Sequence, residues 1–172
     1  MVCKYRDNPD IEFLKSQLYY NPNTGIFYWK ITKNQRAIIG SVAGSGSHPS
    51  GYYTIGLNGI NYAAHRLAWL YYYGELNQFD QIDHYNLNRS DNRISNLRIA
   101  NNSENKRNSR VRKDSKSGIK CVRQDKRTGK YTSRIIVEGN QFWLGTFNTA
   151  EEAHEAYCEA ASKYYGEFFR KE

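Results

Sequence analysis

The stretch QIDHYNLNRSDNRISNLRIANNSEN, residues 81–105, decides the fold of the middle of the chain. It holds a single histidine, His84, among a dense set of Asp, Asn and Ser side chains. Its pattern predicts a short strand ending at Asp83-His84, a polar loop, a second short strand near residues 96–99 and a helix from about Asn102. Because this ββα order brings both strand ends and one helix face together, we expect a site here rather than a core.

The side chains of this stretch suit hydrolysis assisted by a metal ion. Asp83 can offer a carboxylate and Asn105 an amide oxygen to one divalent cation, which leaves positions for water and phosphate oxygens, as Mg²⁺ or Mn²⁺ prefers. An imidazole with an ordinary pKa of about 6.5 can take a proton from water near neutral pH, so His84 is the candidate general base. Asn96 can then orient its ring. The alternative is that Asp83 and Asn96 are turn or capping residues, as Asp and Asn in loops most often are.

The positive charge of the chain is concentrated in one segment. The 172 residues carry 25 Lys and Arg against 17 Asp and Glu, a net charge of +8. Residues 98–134 hold 13 basic and 3 acidic side chains, whereas residues 1–97 hold 9 and 7, and residues 135–172 hold 3 and 7. This density suits phosphate neutralisation with counterion release, although a solvated basic linker would have the same composition. The candidate DNA-binding residues here are Arg98, Lys106, Arg107, Arg110, Arg112 and Lys113.

Membrane, secreted and disulfide-rich classes are disfavoured by the sequence. The longest nearly apolar run, residues 67–73, is far shorter than the roughly 20 residues of a membrane helix, and the charged N-terminus lacks an apolar secretory core. Cys3, Cys121 and Cys158 form no C-x-x-C pair, which argues against a disulfide framework and a structural zinc site. We therefore expect a cytoplasmic protein without zinc.

Two helices, one strand and one hairpin are predicted before the site. A short helix at residues 11–18 precedes the turn cluster at residues 21–25, and residues 26–31 read as a strand. A hairpin is centred on Asn58-Gly59, and a buried helix begins at Ala64 and stops at Gly74. His65 opens that helix, and we expect it to be a hydrogen-bonded core histidine rather than a ligand.

The last third of the chain predicts a three-stranded antiparallel sheet on one helix. The strands lie at residues 119–124, 130–138 and 141–147, and Thr149-Ala150-Glu151-Glu152 is a capping box that starts the helix. Alternation along the second and third strands places the side chains of Arg134, Gln141 and Trp143 away from the helix. Such a face can enter the DNA major groove. The alternative is that Trp143 anchors a core.

The middle of the chain resembles the HNH endonucleases, in particular their phage homing branch, over roughly residues 50–108. The resemblance implies that Asp83 and Asn105 are metal ligands, that His84 is the general base and that Asn96 orients it. In this branch the final histidine of the motif is often asparagine, and Asn105 stands at that position. The matching residues are Ala64-His65-Arg66-Leu67-Ala68-Trp69, Ile82-Asp83-His84, Arg89-Ser90-Asp91-Asn92-Arg93, Asn96-Leu97-Arg98 and Ser103-Glu104-Asn105.

Most of residues 117–167 is similar to the plant ethylene-response-factor, or apetala-type, DNA-binding domain, which also occurs appended to HNH homing endonucleases. This similarity implies DNA-facing positions for Lys120, Arg123, Arg134, Gln141 and Trp143. Departures at Cys121, Asp125 and Ile136 mean that the family's base preference does not carry over. The matching residues are Ser117-Gly118-Ile119-Lys120-Cys121-Val122-Arg123, Gly129-Lys130-Tyr131, Trp143-Leu144-Gly145-Thr146-Phe147, Thr149-Ala150-Glu151-Glu152-Ala153 and Ala156-Tyr157.

These observations predict an α+β protein of three parts. Residues 1–108 form an HNH nuclease module with N-terminal β-hairpins, residues 109–117 a basic linker, and residues 118–172 an ethylene-response-factor-type domain. We expect a site-specific homing endonuclease that uses one divalent cation, Mg²⁺ or Mn²⁺, and acts on double-stranded DNA as a monomer or a DNA-assembled dimer. Neither a membrane nor a small-molecule cofactor is expected, and the phage-type resemblance implies action in a bacterial cytoplasm. The rival readings are a non-cleaving DNA-binding regulator and, less favoured without an RNP-type aromatic motif, an RNA-binding protein.

Overall fold

The computed structural model of the chain describes residues 8–46, 49, 51–108 and 119–169. The chain divides into two units, Met1–Asn102 and Ser103–Glu172, each with its own helices and antiparallel strands. The expected α+β class is confirmed. No helix in the described part of the chain is long and apolar enough to cross a membrane.

The first unit begins with a helix and a β-hairpin. Helix α1 spans Ile11–Gln17, and the Asp10 carboxylate caps it by accepting a hydrogen bond from the backbone N–H of Phe13 at 2.7 Å. Strand β1, Leu18–Asn21, pairs with β2, Ile26–Trp29. The sequence pattern did not predict β1, because it ended the helix at residue 18 and read residue 21 as part of a turn. Leu18 and Tyr20 are buried, whereas Tyr19 between them is exposed, and pairing with β2 makes the segment a strand.

A second hairpin leads directly into the central helix of this unit. Strands β3, Thr54–Leu57, and β4, Ile60–Ala63, pair across Asn58 and Gly59, whose φ angles of 48° and 74° are those of a tight hairpin turn. Helix α2 spans Ala64–Tyr73 and ends at Gly74, whose φ is 85° and whose N–H donates to the carbonyl of Leu70. The hairpin and the helix agree with the sequence prediction.

Residues 81–105 fold as a strand pair followed by a helix. Strand β5 spans Gln81–His84, a 3₁₀ turn spans Ile94–Asn96, β6 spans Leu97–Ala100 and α3 spans Asn102–Arg107. The two strands are antiparallel, so their residues face each other in a fixed register. The facing pairs that matter for the site are Asp83 with Arg98 and His84 with Leu97.

One apolar core stabilises the first unit. Leu14, Leu18, Phe27, Ile55 and Leu67 are fully or nearly fully buried in it. Helix α2 packs against α1, β4 and β5. The first turn of α2 is thereby fixed beside the end of β5, where His84 lies.

The second unit is a three-stranded sheet packed on a helix. Strands β7, Val122–Gln124, β8, Tyr131–Val137, and β9, Asn140–Phe147, are antiparallel and adjacent in that order. Helix α4, Ala150–Tyr165, packs on the sheet. It begins with the predicted capping box, in which the Thr149 hydroxyl accepts from the Glu152 N–H and the Glu152 carboxylate accepts from the Thr149 N–H. The core is formed by Ile135, Tyr157, Cys158, Ala161 and Tyr165.

Candidate active site

The side chain of His84 is buried and held by one amide. Its Nε2 lies 3.1 Å from Oδ1 of Asn92, and the Nδ2 of that asparagine donates to the carbonyl of Ser90 at 3.5 Å. Because an amide oxygen only accepts, Nε2 carries the hydrogen and the lone pair of the neutral ring lies on Nδ1. Nδ1 is therefore the nitrogen that can take a proton.

The environment favours the neutral form of this ring. Burial lowers the pKa of His84 below its ordinary value, and the Arg89 charge acts in the same direction. The hydrogen bond to Asn92 and the carboxylates of Asp83 and Asp91 oppose this shift of the pKa without reversing it. A neutral imidazole is the state that a general base needs.

Asn96 holds the loop instead of the imidazole. Its Oδ1 accepts from the backbone N–H of Asn86 at 3.0 Å, and its Nδ2 donates to the carbonyl of Asp91 at 2.8 Å. Its own carbonyl accepts from the N–H of Tyr85 at 2.9 Å. The sequence led us to expect Asn96 against the ring of His84. That contact is made by Asn92, because both polar atoms of the Asn96 amide are engaged by the loop backbone. Asn92 lies in the motif that carried the resemblance, but nothing in its local sequence marked it as the ring's partner.

Asp83 and Arg98 form an ion pair across the two strands. The Nε and Nη2 atoms of Arg98 donate to Oδ2 of Asp83 at 3.0 and 2.9 Å, and both side chains are largely buried. The guanidinium also lies 5.1 Å from the ring centroid of Tyr85. Arg98 was predicted to contact DNA, and in this structure its charge compensates the carboxylate of the predicted metal ligand.

The donors near His84 fit a hydrated hard cation. Asp83 provides a buried carboxylate, and no group of three or more His, Cys, Asp or Glu side chains able to hold a metal occurs among the described residues. Mg²⁺ and Mn²⁺ commonly bind one or two protein oxygens and complete their coordination with water and phosphate. Asn105, the other predicted ligand, is half-buried in α3 and belongs to the second unit.

His65 lies beside His84 in a group of three rings. The ring centroids of the two histidines are 5.0 Å apart at an interplanar angle of 70°, and Tyr52 lies 4.8 Å from His65 and 5.8 Å from His84. The expected burial of His65 is confirmed. The expected hydrogen bond is wrong for Nδ1, which is buried and has no partner within the described structure. Burial, with the charges of His84, Arg66 and Arg89, lowers the pKa of His65 to about 3.

In the second unit, one face of the sheet presents polar and aromatic side chains to solvent. Trp143 is 61% exposed, so the core-anchor alternative is excluded. It faces Arg134 across β8 and β9, and Nη1 of Arg134 donates to Oε1 of Gln141 at 3.0 Å. Arg123 on β7 is also exposed. Sequence alternation placed Arg134, Gln141 and Trp143 correctly on the face away from α4.

The remaining predicted DNA-binding residues differ in their surroundings. Nζ of Lys120 donates to the carbonyl of Arg107 at 2.6 Å, and the guanidinium of Arg107 lies 4.2 Å from the ring centroid of Tyr165. Both basic groups thus make contacts within the second unit. Lys106 lies in α3, but its side chain is not among those described. Arg110, Arg112 and Lys113, with the rest of the predicted linker at residues 109–117, lie outside the described residues.

Two family models match separate parts of the chain. Residues 62–107 match the HNH endonuclease model. Residues 117–167 match the AP2 domain. Each match covers less than half of the chain, and together they support a nuclease domain of the HNH type followed by an AP2-type domain.

Comparison with whole proteins adds one similar structure. No curated protein matches the chain. A solved structure described as DNA binding and cleavage by the HNH homing endonuclease I-HmuI is similar, with 18% sequence identity and a TM-score of 0.46. The similarity covers 90% of this chain and 80% of that one.

Proposed function

We propose that this nuclease is a site-specific, divalent-metal-dependent DNA endonuclease of the homing type, with His84 as its general base. The observation that carries the proposal is the hydrogen bond from Nε2 of His84 to Oδ1 of Asn92, which leaves Nδ1 as the basic atom. Asp83 lies next to this base in the same strand, so a carboxylate and a base occur at one strand end.

The mechanism follows from the chemistry of these groups. Nδ1 of His84 takes a proton from a water molecule, and the resulting hydroxide attacks the phosphorus in line with the leaving 3′ oxygen. Asn92 keeps the ring in the required tautomer during this transfer. A divalent cation held by Asp83 and Asn105 would stabilise the negative charge that develops on the leaving oxygen. The leaving 3′ oxygen takes up a proton from solvent water, so the products are a 5′-phosphate and a 3′-hydroxyl.

We propose that the exposed face of the C-terminal sheet reads the target. Arg123 and Arg134 can donate to guanine edges in the major groove, while the flat ring of Trp143 can lie along sugars or thymine methyl groups. Gln141 accepts a hydrogen bond from Arg134 and so restricts the orientation of the guanidinium. The basic residues between the two domains would add binding to phosphates that does not depend on sequence.

A nicking assay tests the proposal directly. The substrate is a supercoiled plasmid carrying the DNA that flanks the gene, with Mg²⁺ or Mn²⁺. His84→Ala should abolish cleavage and keep the affinity for duplex DNA, whereas Asn88→Ala, on the exposed part of the same loop, should cleave at the rate of the unaltered protein. Cleavage by His84→Ala would eliminate the proposed base, and activity in excess chelator would eliminate the metal.

One observation favours a second candidate, a non-cleaving DNA-binding regulator. The ion pair between Arg98 and Asp83 engages the carboxylate that would bind the metal. If that pair persists on DNA, the HNH residues act only as a scaffold. The regulator would bind its target with the same affinity in chelator and in Mn²⁺, and would leave the plasmid uncut in both.

A further inference from the structure

His65 is a buried titratable group that the proposed mechanism does not use. Its side chain occupies the first turn of α2, where it is 7% exposed and within ring contact of His84 and Tyr52. A histidine in a core normally has hydrogen-bond partners for its ring nitrogens. Here Nδ1 has none among the described residues, while the ring contacts those of Tyr52 and His84.

The unpartnered Nδ1 of His65 carries a cost in folding free energy. Burying a donor or acceptor without a partner destabilises a fold, whereas an apolar ring of similar size would fill the same space without that cost. The charges around this ring come from Arg66 and Arg89, and with His84 they oppose its protonation. His65 therefore meets His84 as a neutral, flat ring.

A hydrogen bond and ring contacts restrict the orientation of the His84 side chain in different ways. The hydrogen bond to Asn92 fixes one ring nitrogen but still permits the ring to tilt about that bond. The edge contact with the His65 ring, with centroids 5.0 Å apart and an interplanar angle of 70°, restricts this tilting. Tyr52 contacts both rings, and the Arg89 guanidinium lies 4.9 Å from the Tyr52 ring centroid.

We propose that His65 is a positioning residue for His84, acting through the face and edge of its neutral ring. This inference rests on the proposed role of His84 as the general base. A flat ring at position 65 is then required for cleavage, whereas the nitrogens of that ring are not. Loss of the ring should slow the chemical step without weakening DNA binding.

Three variants separate this role from simple packing. His65→Phe keeps a flat ring and removes the unpartnered nitrogen, so its Tm should be equal or higher and its single-turnover nicking rate within about threefold of the unaltered protein. His65→Leu fills space without a flat ring, and its rate should fall about tenfold or more with duplex affinity unchanged. Leu67→Ala, at a buried core position of the same helix, is the control that lowers Tm through lost apolar packing.

A second measurement does not depend on cleavage. The ¹H–¹⁵N spectrum of the histidine rings in the metal-free protein should show the Nε2–H tautomer of His84 in the unaltered protein and in His65→Phe, and a mixture of tautomers in His65→Leu. An unchanged rate and an unchanged His84 spectrum in His65→Leu would overturn the proposal. The proposal would also be overturned if His65→Leu and Leu67→Ala had the same Tm and His65→Leu lost no more of its nicking rate than Leu67→Ala. If the unaltered protein cuts no DNA with either metal, the proposed function fails, and the spectra still decide the role of His65.

Discussion

The hydroxyl of Tyr20 donates a hydrogen bond of 2.7 Å to the backbone carbonyl of Asn92, 72 residues further along the chain. The side chain of that same asparagine holds the imidazole of His84. A further bond runs from the N–H of Ile94 to the carbonyl of Pro22 at 3.2 Å. The N-terminal hairpin therefore supports the loop that orients the proposed base.

Removing the hydroxyl should weaken this support. Tyr20→Phe leaves the buried carbonyl of Asn92 without its donor, so we expect a loss of about 1 kcal/mol in the free energy of unfolding and a reduced nicking rate. Urea unfolding and single-turnover nicking measure the two effects. Tyr19→Phe, at the exposed neighbour in β1, is the matched control and should change neither. If the two variants had the same free energy of unfolding and the same nicking rate, the hydrogen bond from Tyr20 to Asn92 would contribute to neither.

The hairpin approaches the loop too closely for a side chain at residue 25. A Cβ atom on Gly25 would lie 2.4 Å from the backbone N of Arg93 and 2.5 Å from the backbone C of Asn92, and φ is +72°. Gly25→Ala should therefore cost clearly more than the roughly 1 kcal/mol expected for the backbone conformation alone. Gly59→Ala is the control, since φ is +74° and no atom lies within 4 Å of the added Cβ. Thermal unfolding compares them, and similar Tm losses would contradict the close approach.

Asn92 and Asn96 should fail in different ways when replaced. Asn92→Ala removes the acceptor for Nε2 of His84, so we expect a rate about tenfold or more lower with a modest loss of stability. Asn96→Ala removes two hydrogen bonds of the loop and should lower Tm more. The two variants are compared by single-turnover nicking and thermal unfolding. If Asn96→Ala lost most of its nicking rate with little change in Tm, and Asn92→Ala kept a nearly normal rate, Asn96 would be the residue that orients His84.

The ion pair between Arg98 and Asp83 makes metal binding and stability interdependent. Arg98→Met leaves a buried carboxylate without its cation, so unfolding should become easier by about 3 kcal/mol. Mn²⁺ should then raise the Tm of this variant more than that of the unaltered protein, because the ion replaces the lost charge. The effect is read by thermal unfolding with and without Mn²⁺. An Arg98→Met, Asp83→Asn double variant should lose the response, and a response that remained would place the ion elsewhere.

The exposed tryptophan of the C-terminal sheet should matter for DNA and not for folding. Trp143→Ala should change the free energy of unfolding by less than about 0.5 kcal/mol, because the ring is mostly in solvent. Its affinity for target duplex should fall by about tenfold. Tyr164→Ala, at an aromatic side chain on α4 that is about half exposed, is the control for nonspecific surface effects. A stability loss at Trp143 with unchanged affinity would argue against a reading surface.

Local chemistry explains which elements the sequence predicted. Asn58-Gly59 specifies its turn, Gly74 ends α2 by a positive φ, and Thr149 with Glu152 starts α4, so each needs only neighbouring residues. Strand β1 was missed because Leu18 fits the end of a helix as well as a strand. Only its pairing with β2, which is not local, decides between the two.

The candidate site was predicted in its residues but not in its contacts. The Asp83-His84 strand end was foreseen, whereas the choice between Asn92 and Asn96 as ring partner depends on the path of the loop. That path is fixed by backbone hydrogen bonds and by Tyr20, none of which a linear pattern records. Arg98 pairs with Asp83 because the register of β5 and β6 places them opposite each other. Counting charges along the chain does not reveal this register.

The close contact at Gly25 sets a lower limit on the length of chain that can be moved to another protein with the candidate site intact. Residues 62–107 are the part that the HNH model covers, yet the loop within them rests on backbone atoms of the β1–β2 hairpin. A fragment limited to residues 62–107 would lack the hairpin atoms that support the loop around Asn92 and, through it, the ring of His84. A transplanted segment should therefore begin at the cap of α1, with Asp10, so that it keeps the β1–β2 hairpin.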